Sequence, residues 1–241
     1  MKSSVLAVVL FFNSLMPNTL SAQMLRVTEP ATSTGAMGRK ELTSSAPKLA
    51  ILVFDFAHLD PSVLLSAKRV ATQIFKESGI ETEWFDCHSL ECDLQAEHAQ
   101  FRLIIQSQVG NVVKDRSQAR GLTESHALGF AMPCKMTDSA CLFYIFYLPI
   151  SSLASQYNSS RGCILGQVMV HEIGHSLLGP DAHSQNGIMQ PRFSMEGMDR
   201  FLYFSSRESK WARDQLSMRN ESVRNGLARL STPMFPANSK N

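Results

Sequence analysis

Short apolar runs and amphipathic stretches alternate along the chain from about residue 48 onward. Residues 49–56 form an apolar, partly β-branched run, which is the pattern of a buried strand. Asp60 and Pro61 follow as a helix N-cap and first-turn pair, and apolar residues then recur at helical spacing until Gly79. The pattern therefore predicts a strand followed by an amphipathic helix.

Four more strands and then two more helices are predicted in the rest of the chain. Four further segments carry strand patterns, either alternating or short and apolar: residues 80–85, 101–109, 127–132 and 142–148. A second helix is predicted at residues 160–178, where Gly179 and Pro180 end it, and a charged third helix at residues 205–219. Five strands and three helices in this order predict an α+β fold.

Composition and charge place the chain among globular proteins and give no support for nucleic-acid binding. Apolar residues make up 44% of the 241 residues and charged residues 18%, which is outside the disordered and fibrous ranges. The net charge is +2, and lysines and arginines are scattered rather than clustered in a stripe. One domain with a single hydrophobic core is the expected organisation, and the sequence does not predict an oligomeric state.

The first 22 residues have the pattern of a cleavable signal peptide. Lys2 precedes an apolar run at residues 5–12, and a polar stretch ends in small residues at Ala22. A stable membrane span is not expected, because Asn13 interrupts the run and a spanning helix needs about 20 apolar residues. We therefore expect secretion, to the periplasm or another extracytoplasmic space, after cleavage near Ala22.

The rest of the chain is expected to divide into a leader, a folded domain and a tail. Residues 23–47 are rich in Ser, Thr, Ala, Gly and Pro without periodicity, which predicts a flexible leader. Residues 48–220 hold all the predicted strands and helices and form the expected domain. Residues 221–241 are expected to be a C-terminal tail.

Five cysteines lie in the part of the chain that is expected to be exported: Cys87, Cys92, Cys134, Cys141 and Cys163. An oxidising compartment permits disulfides, so two bridges and one remaining thiol are the simplest expectation. Cys87 and Cys92 are close enough in sequence to pair, in which case two of the other three would be joined. The sequence does not determine the pairing, and a structural role is expected rather than a catalytic one.

The second predicted helix carries a pattern that is typical of a catalytic metal site. His171-Glu172-Ile173-Gly174-His175 is an HExxH sequence, and a spacing of four residues places both imidazoles on one helix face. Two imidazoles one turn apart can share a metal ion, and a carboxylate beside them can take a proton from water. The sequence therefore predicts one catalytic Zn²⁺ ion, with His171 and His175 as ligands.

A third ligand is predicted just after this helix. Gly179 permits a backbone conformation that turns the chain back, which would return His183 to the metal. A catalytic zinc site keeps one coordination position open for water, so three protein ligands suit it. His183 is therefore the predicted third ligand.

This region resembles the metzincin zinc endopeptidases, in particular their matrixin-like branch. The resemblance rests on the HExxH sequence, a glycine turn, a third histidine followed by Ser184, and the sequence Gly-Ile-Met-Gln-Pro at residues 187–191. It implies a twisted, mixed five-stranded sheet, an active-site helix, and a small C-terminal subdomain that contains the third helix.

The resemblance also implies a role for each residue of the motif. His171, His175 and His183 would be the zinc ligands, Glu172 the general base, and Met189 the methionine of a turn beneath the metal.

The strand predicted at residues 127–132 falls where the family has an edge strand that pairs with substrate. By this resemblance, Leu128, Gly129, Phe130 and Ala131 would bind an extended peptide through main-chain hydrogen bonds. The implied partner is a peptide or protein segment in extended conformation.

The spacing of the motif departs from the family pattern. The family has HExxHxxGxxH, whereas this chain has HExxHxxxGxxxH, with Gly179 one residue later and His183 two residues later. Asp181 stands at the usual third-ligand position and is the alternative to His183. The Ser184 and Met189 that follow favour His183.

The predicted function is a secreted zinc-dependent endopeptidase that hydrolyses peptide bonds by metal-activated water, with Glu172 as general base. Ser176 has no evident Ser-His-Asp partners, which argues against covalent catalysis. A thermolysin-like site would need Glu196 as a helical ligand, but this residue lies outside the predicted helices. The alternative function is a non-catalytic zinc-binding or envelope-structural domain on a metalloprotease scaffold, although a structural site needs no general base.

Overall fold

In the described part of the chain, one strand and one helix are followed by four strands and then by three helices. The structure is a computed structural model, and it describes residues 45–87, 99–108, 127–135, 138, 140–192 and 200–230, with side chains as far as residue 225. The predicted signal peptide, most of the predicted leader, Cys92, Glu196 and residues 231–241 lie outside these ranges. All described residues belong to one unit, Ser44–Asn241.

The five predicted strands form one mixed sheet. They are β1 (Lys48–Asp55), β2 (Glu81–Cys87), β3 (Phe101–Gln106), β4 (Gly129–Ala131) and β5 (Cys141–Phe146). Their order in the sheet is β2-β1-β3-β5-β4. Every neighbouring pair is parallel except β4 and β5, which are antiparallel. Strand β4 therefore forms one edge of the sheet.

Four helices accompany the sheet in the described part of the chain. They are α1 (Pro61–Glu77), α2 (Tyr147–Gln156), α3 (Arg161–Leu178) and α4 (Ser206–Leu230). Asp60 caps α1 by accepting a hydrogen bond from the Ser62 N–H at 2.8 Å, and Ser160 caps α3 through the Cys163 N–H at 3.3 Å. Within the described ranges, no helix combines the length and apolar character that a membrane crossing requires.

Two of these helices differ from the sequence prediction. Residues 147 and 148, predicted as the end of a strand, begin α2 instead. Pro149 lies in the first turn of α2, where a backbone N–H has no partner within the helix, so proline is tolerated there. Helix α4, predicted at residues 205–219, continues to Leu230, and the sequence has no proline before residue 233 to stop it.

The main core lies between the sheet and the helices. Leu49, Ile51 and Val53 alternate along β1 and are buried against apolar residues of α1 and α3. Leu52 faces the other side of the sheet, where it joins a second apolar cluster. Helix α3, which carries the HExxH sequence, is buried along nearly its whole length.

Two glycines one turn apart let α3 lie directly against α1. A Cβ atom at Gly162 would lie 2.5 Å from Ser66 Oγ, and one at Gly166 would lie 2.5 Å from the carbonyl oxygen of Ala67. Interiors are close-packed, so neither position has room for a side chain. This contact fixes the position of α3, and with it the position of the motif.

Arg219 of α4 ties the C-terminal helix to the loop between β4 and β5. Its guanidinium donates hydrogen bonds to the carbonyl oxygens of Lys135 at 3.0 Å and Asp138 at 2.8 Å, and it lies over the Phe101 ring at 5.4 Å. Helix α4 therefore packs back onto the sheet instead of standing apart from it.

The same loop is closed by a disulfide between Cys134 and Cys141. Cys163 is buried and remains a thiol. Cys87 is also disulfide-bonded. Its sequence neighbour Cys92 lies outside the described residues, so the pairing of these two stays a prediction.

Candidate metal centre

Two histidines project from one face of α3, one turn apart. The Nε2 atoms of His171 and His175 are 3.1 Å apart, and their ring centroids are 4.8 Å apart. Two nitrogen ligands of a tetrahedral zinc ion, each about 2.1 Å from the metal, lie about 3.4 Å from each other. The pair is therefore spaced close to what two ligands of one ion require.

A turn after α3 brings the third histidine to this pair. Helix α3 ends at Leu178, and the next residue, Gly179, has a φ of 115° that is readily adopted only by glycine. The Ala182 N–H donates to the Gly179 carbonyl at 3.2 Å. The ring centroid of His183 is 5.6 Å from that of His171 and 4.8 Å from that of His175. One donor nitrogen from each histidine lies within 4.8 Å of the others.

Backbone carbonyl oxygens contact the Nδ1 atoms of two of the imidazoles. His171 Nδ1 donates a hydrogen bond to the Ile188 carbonyl oxygen at 2.8 Å, and His175 Nδ1 lies 3.4 Å from the Gly179 carbonyl oxygen. A proton on Nδ1 leaves Nε2 with the lone pair that a metal ion needs. Both Nε2 atoms are thus prepared as metal ligands.

Burial also keeps these two imidazoles neutral. It lowers the pKa of His171, and the nearby His183 adds to this effect. It lowers the pKa of His175 to about 4, with further lowering by the charges of His171 and His183. Neutral imidazole is the form that binds a metal, so metal binding at neutral pH does not first require His175 to lose a proton.

Met189 lies beneath the helix that carries the motif. It is fully buried, and its Sδ lies 2.5 Å from the point where a Cβ atom at Gly174 would stand. Its carbonyl oxygen accepts a hydrogen bond from the Ser184 N–H at 3.0 Å, which closes the loop after the third histidine. The preceding residue, Ile188, supplies the carbonyl that orients His171. This loop therefore supports the cluster from below.

The carboxyl group of Glu172 lies between α3 and strand β4. It is buried and accepts a hydrogen bond from the backbone N–H of Ala131. Burial raises the pKa of Glu172 to about 8, and the hydrogen bond from Ala131 opposes this rise. The metal-free protein therefore holds this carboxyl group mainly protonated at neutral pH, and a cation bound beside it would favour the charged form that accepts a proton.

Strand β4 presents main-chain groups on its open side. The Met132 N–H and the Leu128 carbonyl are hydrogen-bonded to β5 at 3.0 Å and 2.9 Å. Because these directions alternate along an antiparallel strand, the main-chain groups of Gly129 and Ala131 point away from β5. Phe130 instead packs its side chain against Phe146. Both residues whose main chain faces the open edge are small.

The sequence offers three alternative site residues, Asp181, Ser176 and Glu196. Asp181 is exposed, and among the described residues it does not join the group of converging donor atoms, although its charge raises the pKa of His175. Ser176 donates a hydrogen bond to the Cys141 sulfur at 3.2 Å. Glu196 lies outside the described residues.

The donor set of the cluster fits a zinc ion. Imidazole nitrogen suits zinc, copper, iron and nickel, whereas magnesium and calcium take oxygen ligands. Three protein ligands leave one position of a tetrahedral zinc ion open, as in catalytic sites and unlike structural ones. A buried carboxyl group next to the first histidine completes the set that metal-assisted hydrolysis needs.

Two contacts in this site come from backbone groups that the sequence does not indicate. They are the Ile188 carbonyl on His171 and the Ala131 N–H on Glu172. Every residue but proline carries both groups, so residue type gives no signal for them. Only the fold, which brings a late loop and an edge strand to the same helix, reveals these contacts.

Comparisons with known proteins assign no family to this chain. No protein-family model matches the sequence, and no curated protein matches it significantly. Among solved structures, archaemetzincin from Methanopyrus kandleri is similar at 15% identity and a TM-score of 0.42, over 73% of this chain and 98% of that one. A Thermotoga maritima protein solved in solution is similar at 13% identity and a TM-score of 0.30, over 78% of this chain and 100% of that one. At these values neither likeness decides the function, so the chemistry rests on the side chains of the site itself.

Proposed function

We propose that this protein is a secreted zinc-dependent endopeptidase of the metzincin type. The observation that carries the proposal is the convergence of His171, His175 and His183 beside the buried carboxyl group of Glu172. A purely structural zinc site would use four protein ligands and would need no such carboxyl group. The geometry thus favours a hydrolase over a zinc-binding scaffold.

Each residue of the centre has a proposed role. His171, His175 and His183 hold one zinc ion, which when bound lowers the pKa of a water molecule towards 7 and polarises the substrate carbonyl. Glu172 accepts the proton of the attacking water and delivers it to the leaving amine. Met189 supports the ligands from below the helix.

The substrate is proposed to be an extended peptide that lies along β4. The main-chain groups of Gly129 and the carbonyl of Ala131 point to the open edge, and an added strand binds there through main-chain hydrogen bonds that do not depend on its side chains. The Ala131 N–H already contacts Glu172, so a peptide at this edge passes next to the proposed general base. Leu128 and Phe130 contribute by holding β4 against β5.

Secretion is proposed from the signal-peptide pattern of residues 1–22. The disulfide between Cys134 and Cys141 supports an oxidising destination. Sequencing of the exported protein should find a new N-terminus near Gln23. Retention of the full-length chain inside the producing cell would contradict this part of the proposal.

The experiment for the activity uses the exported protein and a mixture of unstructured peptides. With one zinc ion per chain, we expect cleavage at internal peptide bonds, loss of cleavage on chelation, and recovery when zinc is restored. Mass spectrometry of the products identifies the cleaved bonds. A zinc-loaded, folded protein that cleaves no peptide in a diverse mixture would contradict the proposal.

The third ligand is tested by zinc affinity in two variants. His183→Ala should weaken zinc binding by more than about 100-fold, since even residues that only support a ligand cost about 10- to 100-fold. Asp181→Ala serves as the control and should bind one zinc ion with little loss of affinity. The reverse result would assign Asp181 as the ligand.

A further inference from the structure

Gly129 of β4 lies directly against the side chain of Glu172. A Cβ atom built at Gly129 would stand 2.6 Å from Glu172 Oε1, 2.7 Å from its Cγ and 2.8 Å from its Cδ. Real Cβ atoms do not approach other heavy atoms so closely, so the carboxyl group occupies the space that any side chain at this position would fill.

Backbone conformation does not explain the glycine. The described glycines with positive φ are Gly79, Gly179 and Gly187, whereas Gly129 lies in an extended strand that any residue can adopt. Glycine weakens a strand, and within strands it often marks a place where another group approaches closely. Glycine is therefore needed at position 129 because a side chain has no room there.

A second contact from the same strand holds the carboxyl group in place. Ala131, two residues further along β4, donates its backbone N–H to Glu172. The main-chain groups of both residues point away from β5, because hydrogen-bonding direction alternates along an antiparallel strand. One position supplies the space for the carboxyl group and the other supplies its hydrogen bond.

We propose that Gly129 is a positioning residue for Glu172: its missing side chain lets the carboxyl group lie under the edge strand at the Ala131 N–H. A larger residue would push the carboxyl group or the strand away. This inference rests on the proposed function, since it assigns the position of the proposed general base to a residue of the proposed substrate strand. It also requires glycine at this one position of the edge strand.

The contact is tested by a double-mutant cycle on thermal stability. Gly129→Ala should lower the melting temperature by roughly 2–10 °C, because overpacking a close-packed site is destabilising. In the Glu172→Ala background the same substitution should cost less than about 1 °C, since the overlapping side chain has been removed. An equal loss in both backgrounds would overturn the inference.

A similarly crowded glycine on α3, Gly162, controls for general steric damage. A Cβ atom at Gly162 would overlap Ser66 just as severely, at 2.5 Å, but Gly162 lies ten residues before Glu172, about 15 Å away along the helix. Gly162→Ala should lower the melting temperature equally with and without the Glu172 side chain.

The catalytic consequence is read from kinetics on zinc-loaded protein. Gly129→Ala should retain one zinc ion per chain. Its kcat should fall about 100-fold, as expected for a misplacement of about 1 Å, and this fall should exceed any rise in KM. A Gly129→Ala enzyme with wild-type kcat would overturn the inference. If Gly129→Ala alone does not fold, a folded Gly129→Ala/Glu172→Ala double variant supports the contact, and an unfolded one contradicts it.

The two readouts separate failure of this inference from failure of the proposed function. If the zinc-loaded wild type cleaves no peptide, the proposed function fails, while the stability cycle still decides whether Gly129 and Glu172 compete for space. If the wild type cleaves peptides and the stability cycle shows no coupling, the inference fails and the proposed function stands.

Discussion

The Nε2 atoms of His171 and His175 lie 3.1 Å apart. The Nδ1 atom of His171 is hydrogen-bonded to the carbonyl oxygen of Ile188. Two lone pairs facing each other at this distance repel, and a cation between them removes the repulsion. Zinc binding should therefore stabilise the folded protein. At a free zinc concentration 100 times the dissociation constant, the gain is about 2.7 kcal/mol.

His171→Ala should abolish this zinc-dependent stabilisation. Differential scanning calorimetry with chelator and with zinc measures the shift in melting temperature, which should be several degrees for the wild type and about zero for the variant. The control is His58→Asn, because His58 is exposed and has a φ of 53°, which asparagine tolerates. A wild-type zinc shift in His171→Ala would mean that the metal binds elsewhere.

Metal-free protein should be most stable at weakly acidic pH and should lose stability towards both higher and lower pH. The pKa of Glu172 is raised to about 8, so its stabilising contribution is complete below about pH 4.5 and is lost as the pH rises through 8. The pKa of His175 is lowered to about 4, so its contribution is complete above about pH 6.5 and is lost as the pH falls through 4.

Glu172→Gln isolates the alkaline part of this profile. Glutamine does not ionise, so the metal-free variant should keep its stability between pH 5 and 8 where the wild type loses on the order of 3 kcal/mol. Urea unfolding of chelator-treated protein at a series of pH values provides the measurement. Parallel profiles for wild type and variant would contradict the burial of an ionisable carboxyl group at this position.

Met189 should matter for both stability and zinc affinity. Met189→Ala removes a fully buried side chain from beneath Gly174 and should destabilise the protein by about 2–5 kcal/mol. Loosening this loop also loosens the Ile188 carbonyl on His171, so zinc affinity should fall by about 10- to 100-fold. Unfolding curves and competition with a zinc chelator measure the two effects.

Met218→Ala is the control of the same residue type. Met218 is 48% exposed on α4, so its removal should change stability by less than about 0.5 kcal/mol and leave zinc affinity unchanged. Equal effects for the two methionines would contradict the supporting role of Met189.

Arg219 should stabilise the loop that follows β4. Arg219→Met keeps an apolar stem but leaves the carbonyl groups of Lys135 and Asp138 without their donor, at a cost of about 2–3 kcal/mol. Arg207→Met, at an exposed position of the same helix, should change stability by less than about 0.5 kcal/mol. Urea unfolding compares the two, and equal midpoints would show that the Arg219 contacts contribute nothing.

Local patterns predicted the elements of the fold well. The strand at residues 49–56 and the helix after Asp60 are confirmed as β1 and α1, because β-branched runs, caps and helical spacing are local signals. Helix α2 was missed because the apolar run from Leu142 to Leu148 does not mark where strand gives way to helix.

The candidate site was likewise predicted only in part. The HExxH spacing predicted two adjacent imidazoles, and the glycine turn predicted the approach of His183 to them. The space at Gly129 and the carbonyl of Ile188 were not predicted, because they depend on contacts between segments far apart in sequence. Such contacts leave no periodic or compositional trace and require the fold.

The most direct test of the central claim is peptide cleavage by Glu172→Gln at a measured zinc content. Glutamine keeps the size of the side chain and removes its ability to accept a proton. We expect one zinc ion per chain, as in the wild type, and a kcat at least about 100-fold lower, the usual contribution of a general base. Zinc-loaded Glu172→Gln that cleaves peptides at the wild-type rate would contradict the assignment of Glu172 and the hydrolytic mechanism built on it.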